Sequence, residues 1–142
     1  MEISLRFATS ADLKAINKRY AEVDFVPSHE NELIVLASIG DKTVGQGRVV
    51  SIDSNSGELG GIYVFPDNEG LGIARKVVDF LIKNSKYSVL YCLPFAELES
   101  FYGSMGFTPV KDIAQVPQAV IKKYEWCNSN YDKPVLLLER SK

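Results

Sequence analysis

Apolar residues alternate with polar ones over residues 3–8 (Ile3, Leu5, Phe7), which predicts a first strand. Thr9 stands three residues ahead of Asp12, the spacing of a capping box with Asp in place of Glu. Leu13, Ile16, Tyr20 and Val23 then recur at helical spacing, so a helix is predicted over residues 10–22. Residues 25–31, with Pro27 and Ser28, read as a loop or a short second helix. Beyond them the period shortens. Strands are predicted at 33–39 and 43–52 around the Gly40-Asp41-Lys42 turn, and at 58–65 after a second turn over 53–57. These three form an antiparallel meander.

Residues 66–70 break the pattern, and Ile73, Ala74, Val77, Val78, Phe80 and Leu81 make the apolar stripe of a helix running to about Asn84. Residues 88–93 are almost continuously apolar, as in a strand covered on both faces of a sheet. A short helix over 96–104 ends at Gly106, and a strand begins at 107–110. Pro117 opens a helix with Val120, Tyr124 and Cys127 on one face, and a last strand is predicted at 135–139. There is no repeat, low-complexity tract or linker. The order β-α-β-β-β-α-β-α-β-α-β describes an α/β (α+β) fold, a mixed sheet with helices on both faces, in a single domain of residues 1–142.

Composition narrows the function classes. The 142 residues are 46% hydrophobic and 24% charged, which suits one self-sufficient globular core and excludes a disordered or disulfide-dense chain. A formal charge of -2 does not advertise the basic face that nucleic-acid binding needs, though it leaves room for a local patch. Cys92 and Cys127 lack both metal-ligand and framework spacing, so reduced thiols in a cytoplasmic protein are expected. Glu2 stands where a secretion signal carries bases, and no apolar run is long enough to span a membrane.

The candidate chemistry lies where the strand over 58–65 feeds a small-residue turn into a helix, through Glu69-Gly70-Leu71-Gly72-Ile73-Ala74. First-turn amides of a helix lack helical partners, and the helix dipole places partial positive charge there. Glycines at 70 and 72 remove the Cβ atoms that would hold a phosphate or pyrophosphate away from the backbone. A Walker-type loop would need Lys and then Ser or Thr after Gly72, where Ile73 and Ala74 stand. A dinucleotide fold would need a parallel unit here and an acid at the end of the next strand; the meander and the missing acid oppose it.

A second segment, Phe101-Tyr102 followed by Gly106-Phe107, completes a resemblance. With the glycine-containing turn and the element order, it makes the chain resemble the GNAT superfamily of N-acetyltransferases over nearly its whole length. The family signature begins with Gln or Arg where this chain has Glu69; Arg75 and Lys76 offset the acid. Leu98 replaces the small residue often found before the family's Tyr, and the upstream Asn is absent.

The resemblance implies a mostly antiparallel sheet of about seven strands. It also implies transfer of an acetyl group from acetyl-CoA to a primary amine of a small molecule or peptide, directly, in a ternary complex. Pantetheine would pair with Ile62, Tyr63 and Val64, whose amides polarise the acetyl carbonyl. The pyrophosphate would lie on the amides of Glu69, Gly70, Leu71, Gly72, Ile73, Ala74 and Arg75. Tyr102 would protonate the leaving thiolate, and Glu58 would be a direct or water-relayed base. Residues 25–31 and 117–127 would wall the acceptor pocket, and a homodimer is a possible assembly.

Simpler readings stand beside these. Tyr102 can pack beside Phe101, Glu58 can be a solvated acid after the turn, and His29 a surface residue. Cys92 reads as a buried, inert thiol rather than an acyl carrier. Arg6 and Arg48 are expected at the surface rather than facing an acidic acceptor, and Trp126 beside core or dimer contacts. The competing function is a non-catalytic acyl-CoA-binding or regulatory module on the same fold.

Overall fold

A computed structural model describes residues 2–142. Among these residues seven strands are hydrogen-bonded in the order β1 (Ile3–Phe7), β2 (Leu33–Ile39), β3 (Lys42–Ser51), β4 (Ser56–Val64), β5 (Val89–Cys92), β7 (Leu138–Ser141) and β6 (Thr108–Pro109). Backbone contacts divide the chain into two compact units. One comprises residues up to Val50 together with Gly61–Ser85, and the other Ser51–Gly60 together with Lys86–Lys142.

In the first unit β1 (Ile3–Phe7) pairs antiparallel with β2 (Leu33–Ile39), and β2 with β3 (Lys42–Ser51). The capping-box expectation holds: the Thr9 N–H donates to the Asp12 carboxylate at 2.8 Å, ahead of α1 (Leu13–Glu22). Arg6 is exposed as expected, and its guanidinium also holds Asp12, so that carboxyl lies well below the usual range. Residues 25–31 form a loop without helix, clamped to α1 by Asn17, whose amide bonds both the N–H and the C=O of Ser28.

The run Ile34-Val35-Leu36-Ala37 is buried throughout because each face of β2 carries a helix. Ile34 and Leu36 pack on Ile16 and Tyr20 of α1. Val35 faces Gly47 across the ladder, on the side covered by α2 (Ile73–Asn84). A Cβ on Gly47 would lie 2.6 Å from Val77 Cγ1 and 2.7 Å from Ile62 Cδ1, so helix and sheet approach only because no side chain is there. Gly47→Ala should therefore destabilise the protein by about 1–3 kcal/mol through overpacking. A lowered urea midpoint would show it, and an unchanged midpoint would mean that α2 gives way without cost.

In the second unit β4 (Ser56–Val64) begins after a turn closed by Asp53, whose carboxylate accepts from the Asn55 and Ser56 amides and the Ser56 hydroxyl. β4 pairs parallel with β5 (Val89–Cys92), from Ser56↔Val89 to Leu59↔Cys92. β7 (Leu138–Ser141) runs antiparallel to β5 and to β6 (Thr108–Pro109). The core joins Tyr91 and Leu137 to Val116 and to Val120 of α4 (Gln118–Asn130). Trp126 of α4 is exposed.

The last strand lies later than the hydrophobic run predicted. Val135 makes only an isolated bridge to Phe95, and the ladder starts at Leu138 opposite Cys92. Pro94 explains this: it has no N–H to continue a ladder past Cys92, so the pairing of 134–137 is reduced to single bonds such as Leu136 N–H to Pro94 O at 2.8 Å.

Candidate functional site

Residues 66–72 form the turn between β4 and α2. Asp67, Gly70 and Gly72 have φ of 77°, 81° and 77°, the left-handed region that Gly adopts freely. No heavy atom lies within 4 Å of where a Cβ on Gly70 or Gly72 would stand, so open space adjoins the backbone at both. Gly72 caps the 12-residue α2, and the first helical bond runs from Lys76 N–H to Gly72 O. The amides of Ile73 and Ala74 precede that bond, in the first turn, where an α-helix supplies no acceptor of its own. The side chains of Glu69, Leu71 and Arg75 are exposed. The turn thus presents open backbone at the N-terminus of α2.

Just before the turn, β4 departs from a regular strand. Gly61 has φ of 60°, and the Tyr20 hydroxyl donates to its carbonyl at 2.7 Å. A Cβ here would lie 2.7 Å from that hydroxyl and 2.8 Å from Arg48 Nε, so only glycine fits. Further along, the Phe65 N–H bonds Val44 O of β3 at 2.9 Å. Amides alternate sides along a strand, so Tyr63 N–H also faces β3, while Ile62 and Val64 point to the opposite edge. The ladder with β5 has ended by then, at Leu59. Ile62 and Val64 thus offer N–H groups on an edge of β4 past its last β5 pair. The Tyr63 hydroxyl donates to Glu22 at 3.1 Å.

Arg48 is not at the surface. It is 9% exposed, with Nη1 bonded to Val26 O (2.8 Å) and Ser28 Oγ (2.6 Å), and its guanidinium lies 4.4 Å from the Tyr20 ring centroid. Burial has a reason: α1 and the loop after it cover this end of β3 and supply acceptors. Glu32 completes the charge pair at 3.9 Å, too long for a hydrogen bond, and its buried Oε1 has no hydrogen-bond partner.

In the second unit the two predicted catalytic side chains have different partners. Tyr102, on α3 (Glu99–Gly103), is 5% exposed, with the rings of Phe101 and Phe107 edge-on to it at 4.9 and 5.9 Å. Its hydroxyl hydrogen-bonds the Cys92 sulfur. Burial pushes the phenol well above its ordinary range, and the Cys92 thiol up as well, with the nearby Glu58 charge adding to the latter. A thiol so strongly held protonated is a poor acyl carrier. Glu58 is no solvated acid: its side chain is 12% exposed and its carboxylate takes a 2.7 Å ion pair from Lys123 of α4. His29 is exposed.

A family model for an acetyltransferase (GNAT) domain matches residues 30–109, more than half of the chain. The chain belongs to the GNAT acetyltransferase family. Solved structures agree in fold. Rv2747 of Mycobacterium tuberculosis, in complex with CoA, superposes with a TM-score of 0.76 at 18% identity, over 98% of this chain and 99% of that one. A GNAT family acetyltransferase from Elizabethkingia anophelis with acetyl-CoA bound gives 0.67 at 16%, over 99% and 98%. N-acetylglutamate synthase from Neisseria gonorrhoeae, complexed with coenzyme A and N-acetyl-glutamate, gives 0.73 at 16%; this chain, covered to 99%, spans 35% of that protein. No curated protein matches the sequence.

As a GNAT acetyltransferase the chain is an acyltransferase, and its family segment includes the turn, β4 and Tyr102. Among the described residues no helix is long and apolar enough to cross a membrane, and no cluster of His, Cys, Asp or Glu is arranged to hold a metal ion. The sequence reading missed Tyr20 and Gly61. The signal was present: Gly60-Gly61 inside an otherwise regular strand marks a bulge.

Proposed function

We propose that this GNAT acetyltransferase moves the acetyl group of acetyl-CoA to a primary amine of a small molecule or peptide, by direct attack in a ternary complex. The observation that carries the reading is the open backbone cradle at Gly70 and Gly72, at the N-terminus of a long helix and next to a β4 edge with outward amides. The cradle fits a diphosphate: a Cβ at either glycine would occupy the space that the anion needs. The CoA and acetyl-CoA bound to the structural relatives support the choice of cosubstrate.

The diphosphate rests on the amides from Gly70 to Arg75, with Glu69 contributing its backbone alone. The pantetheine arm follows Ile62 and Val64, and the Ile62 N–H takes the acetyl oxygen as negative charge develops there. The amine attacks the thioester carbon, the C–S bond breaks, and Tyr102 gives its proton to the departing thiolate. Burial keeps that phenol protonated. Glu58 takes the proton released by the amine through water.

One observation favours the alternative, a non-catalytic acyl-CoA-binding module. Tyr102 is enclosed with its hydroxyl committed to Cys92, and Glu58 is already paired with Lys123. Two measurements separate the readings. Thermal unfolding should show acetyl-CoA stabilising the protein by about 2.7 kcal/mol at 100 times its dissociation constant, a shift of several degrees, with NAD and ATP giving none. Thiol release from acetyl-CoA should then require an added amine. Binding without turnover on any amine class would identify the binding module, and no stabilisation by acetyl-CoA would dismiss both.

A further inference from the structure

We infer that Tyr20, backed by Arg48, is a positioning residue that aims the Ile62 amide at the acetyl group of the cosubstrate. The inference rests on the proposed function for the role of that amide, and its own content is the clamp behind it. The carbonyl of Gly61 and the N–H of Ile62 belong to one peptide unit, planar and trans, so they point in opposite directions from the same rigid plate. The Tyr20 hydroxyl grips the carbonyl end at 2.7 Å. Fixing that end fixes the direction of the N–H at the other, on the β4 edge past the β5 ladder.

The clamp has work to do because the plate hangs on a glycine. Gly61, at φ of 60°, has the widest choice of backbone angles, and an ungripped peptide beside it can rotate. Tyr20 itself cannot move. Its side chain is fully buried, Phe25 lies at 5.8 Å between ring centroids, and the Arg48 guanidinium lies over its ring at 4.4 Å. Arg48 is held in turn by Val26 O and Ser28 Oγ. Gln46, anchored on Ile16 O at 3.1 Å, hydrogen-bonds the Tyr20 hydroxyl from behind.

That chain of bonds also polarises. A carbonyl that accepts a hydrogen bond makes its own peptide N–H a stronger donor, by roughly 10–30% per bond in a low-dielectric interior. Burial pushes the phenol up to about 12, so it remains a donor throughout the neutral range. A buried tyrosine needs some partner for its hydroxyl; here the partner is the peptide whose opposite end is the amide proposed to meet the thioester.

The test needs no acceptor. Acetyl-CoA carrying 13C at the acetyl carbonyl is bound to the wild-type protein and to Tyr20→Phe, and the carbonyl stretch is read by difference infrared spectroscopy. Affinities for acetyl-CoA and CoA are measured alongside by calorimetry. In Tyr20→Phe the stretch should move to higher wavenumber and the preference for acetyl-CoA over CoA should fall about fivefold, the worth of one ordinary hydrogen bond. CoA affinity itself, set by the phosphate cradle, should be unchanged. Incorporation of 3-fluorotyrosine at position 20 makes the hydroxyl a stronger donor and should move the band the opposite way, which damage to packing would not do. It also serves if the Phe variant does not fold. An unmoved band in the fluorinated protein, or in a folded Phe variant, overturns the inference and leaves the proposed function standing. Failure of the wild-type protein to bind either acetyl-CoA or CoA removes the proposed function, and the inference with it.

Discussion

Arg48→Met should cost the protein about 3–5 kcal/mol, the usual penalty for removing one partner of a buried charge pair. The Arg48 and Glu32 side chains are 11% and 9% exposed, so neither charge has water to fall back on. Glu32 Oε1 already lacks a hydrogen bond, and the guanidinium is the one cation paired with it among the described residues. Val26 O and Ser28 Oγ would lose their donor at the same time. Methionine fills the space of the lost side chain, which keeps the penalty electrostatic rather than a matter of cavity. Urea unfolding would show a lower midpoint with an unchanged slope.

Adding Glu32→Gln to Arg48→Met should recover part of the loss, because the stranded charge is then gone, and a double-mutant cycle would report the coupling. Arg48→Lys should not restore stability fully. An ammonium cannot bond both acceptors in the loop while also lying flat over the Tyr20 ring. If Arg48→Met costs less than about 1 kcal/mol, the pair contributes no more than a surface ion pair does.

Tyr102→Phe should lower amine-dependent thiol release about 10²–10⁴-fold, the range for loss of a positioned general acid. The same substitution leaves the Cys92 sulfur without its hydroxyl donor and should cost about 1 kcal/mol of stability whatever the catalytic role. The two readouts are therefore independent. The ring contacts with Phe101 and Phe107 survive in the variant, so it should fold and bind acetyl-CoA as the wild type does. A small stability loss with turnover intact would reduce Tyr102 to a core residue. Glu58→Gln is the companion: it removes the proposed proton acceptor, and also the 2.7 Å ion pair with Lys123, so its stability must be measured beside its rate.

How much of this was legible in the sequence depends on the range of the interaction concerned. The capping of α1 is settled within the four residues Thr9 to Asp12. The turn into α2 is equally local, since Gly70 and Gly72 answer a backbone need at their own positions. The apolar stripe of α2 anticipates its buried residues Ile73, Val77, Val78 and Leu81. The order of elements follows from such signals, and with it the fold and the family.

Other features join residues that are far apart in the chain. Arg48 meets Val26, Ser28 and Glu32, and Tyr20 meets Gly61, across 16 to 41 positions. Lys123 reaches Glu58 across 65. No periodicity says which polar side chain a helix will cover, because a charge in an alternating strand looks the same whether its face is wet or buried. For the same reason the last strand was placed by its apolar run rather than by Pro94, whose missing N–H acts on a partner some forty residues away.

The sequence by itself determined the order of strands and helices and the glycine turn into α2, because periodicity, caps and glycine conformations act over a few neighbouring residues. Only the tertiary structure decided that Arg48 is buried, that Glu58 pairs with Lys123, and that Tyr20 grips the peptide behind Ile62. Partners of buried polar groups are chosen by strand register and helix packing, and those come into being only when distant segments meet.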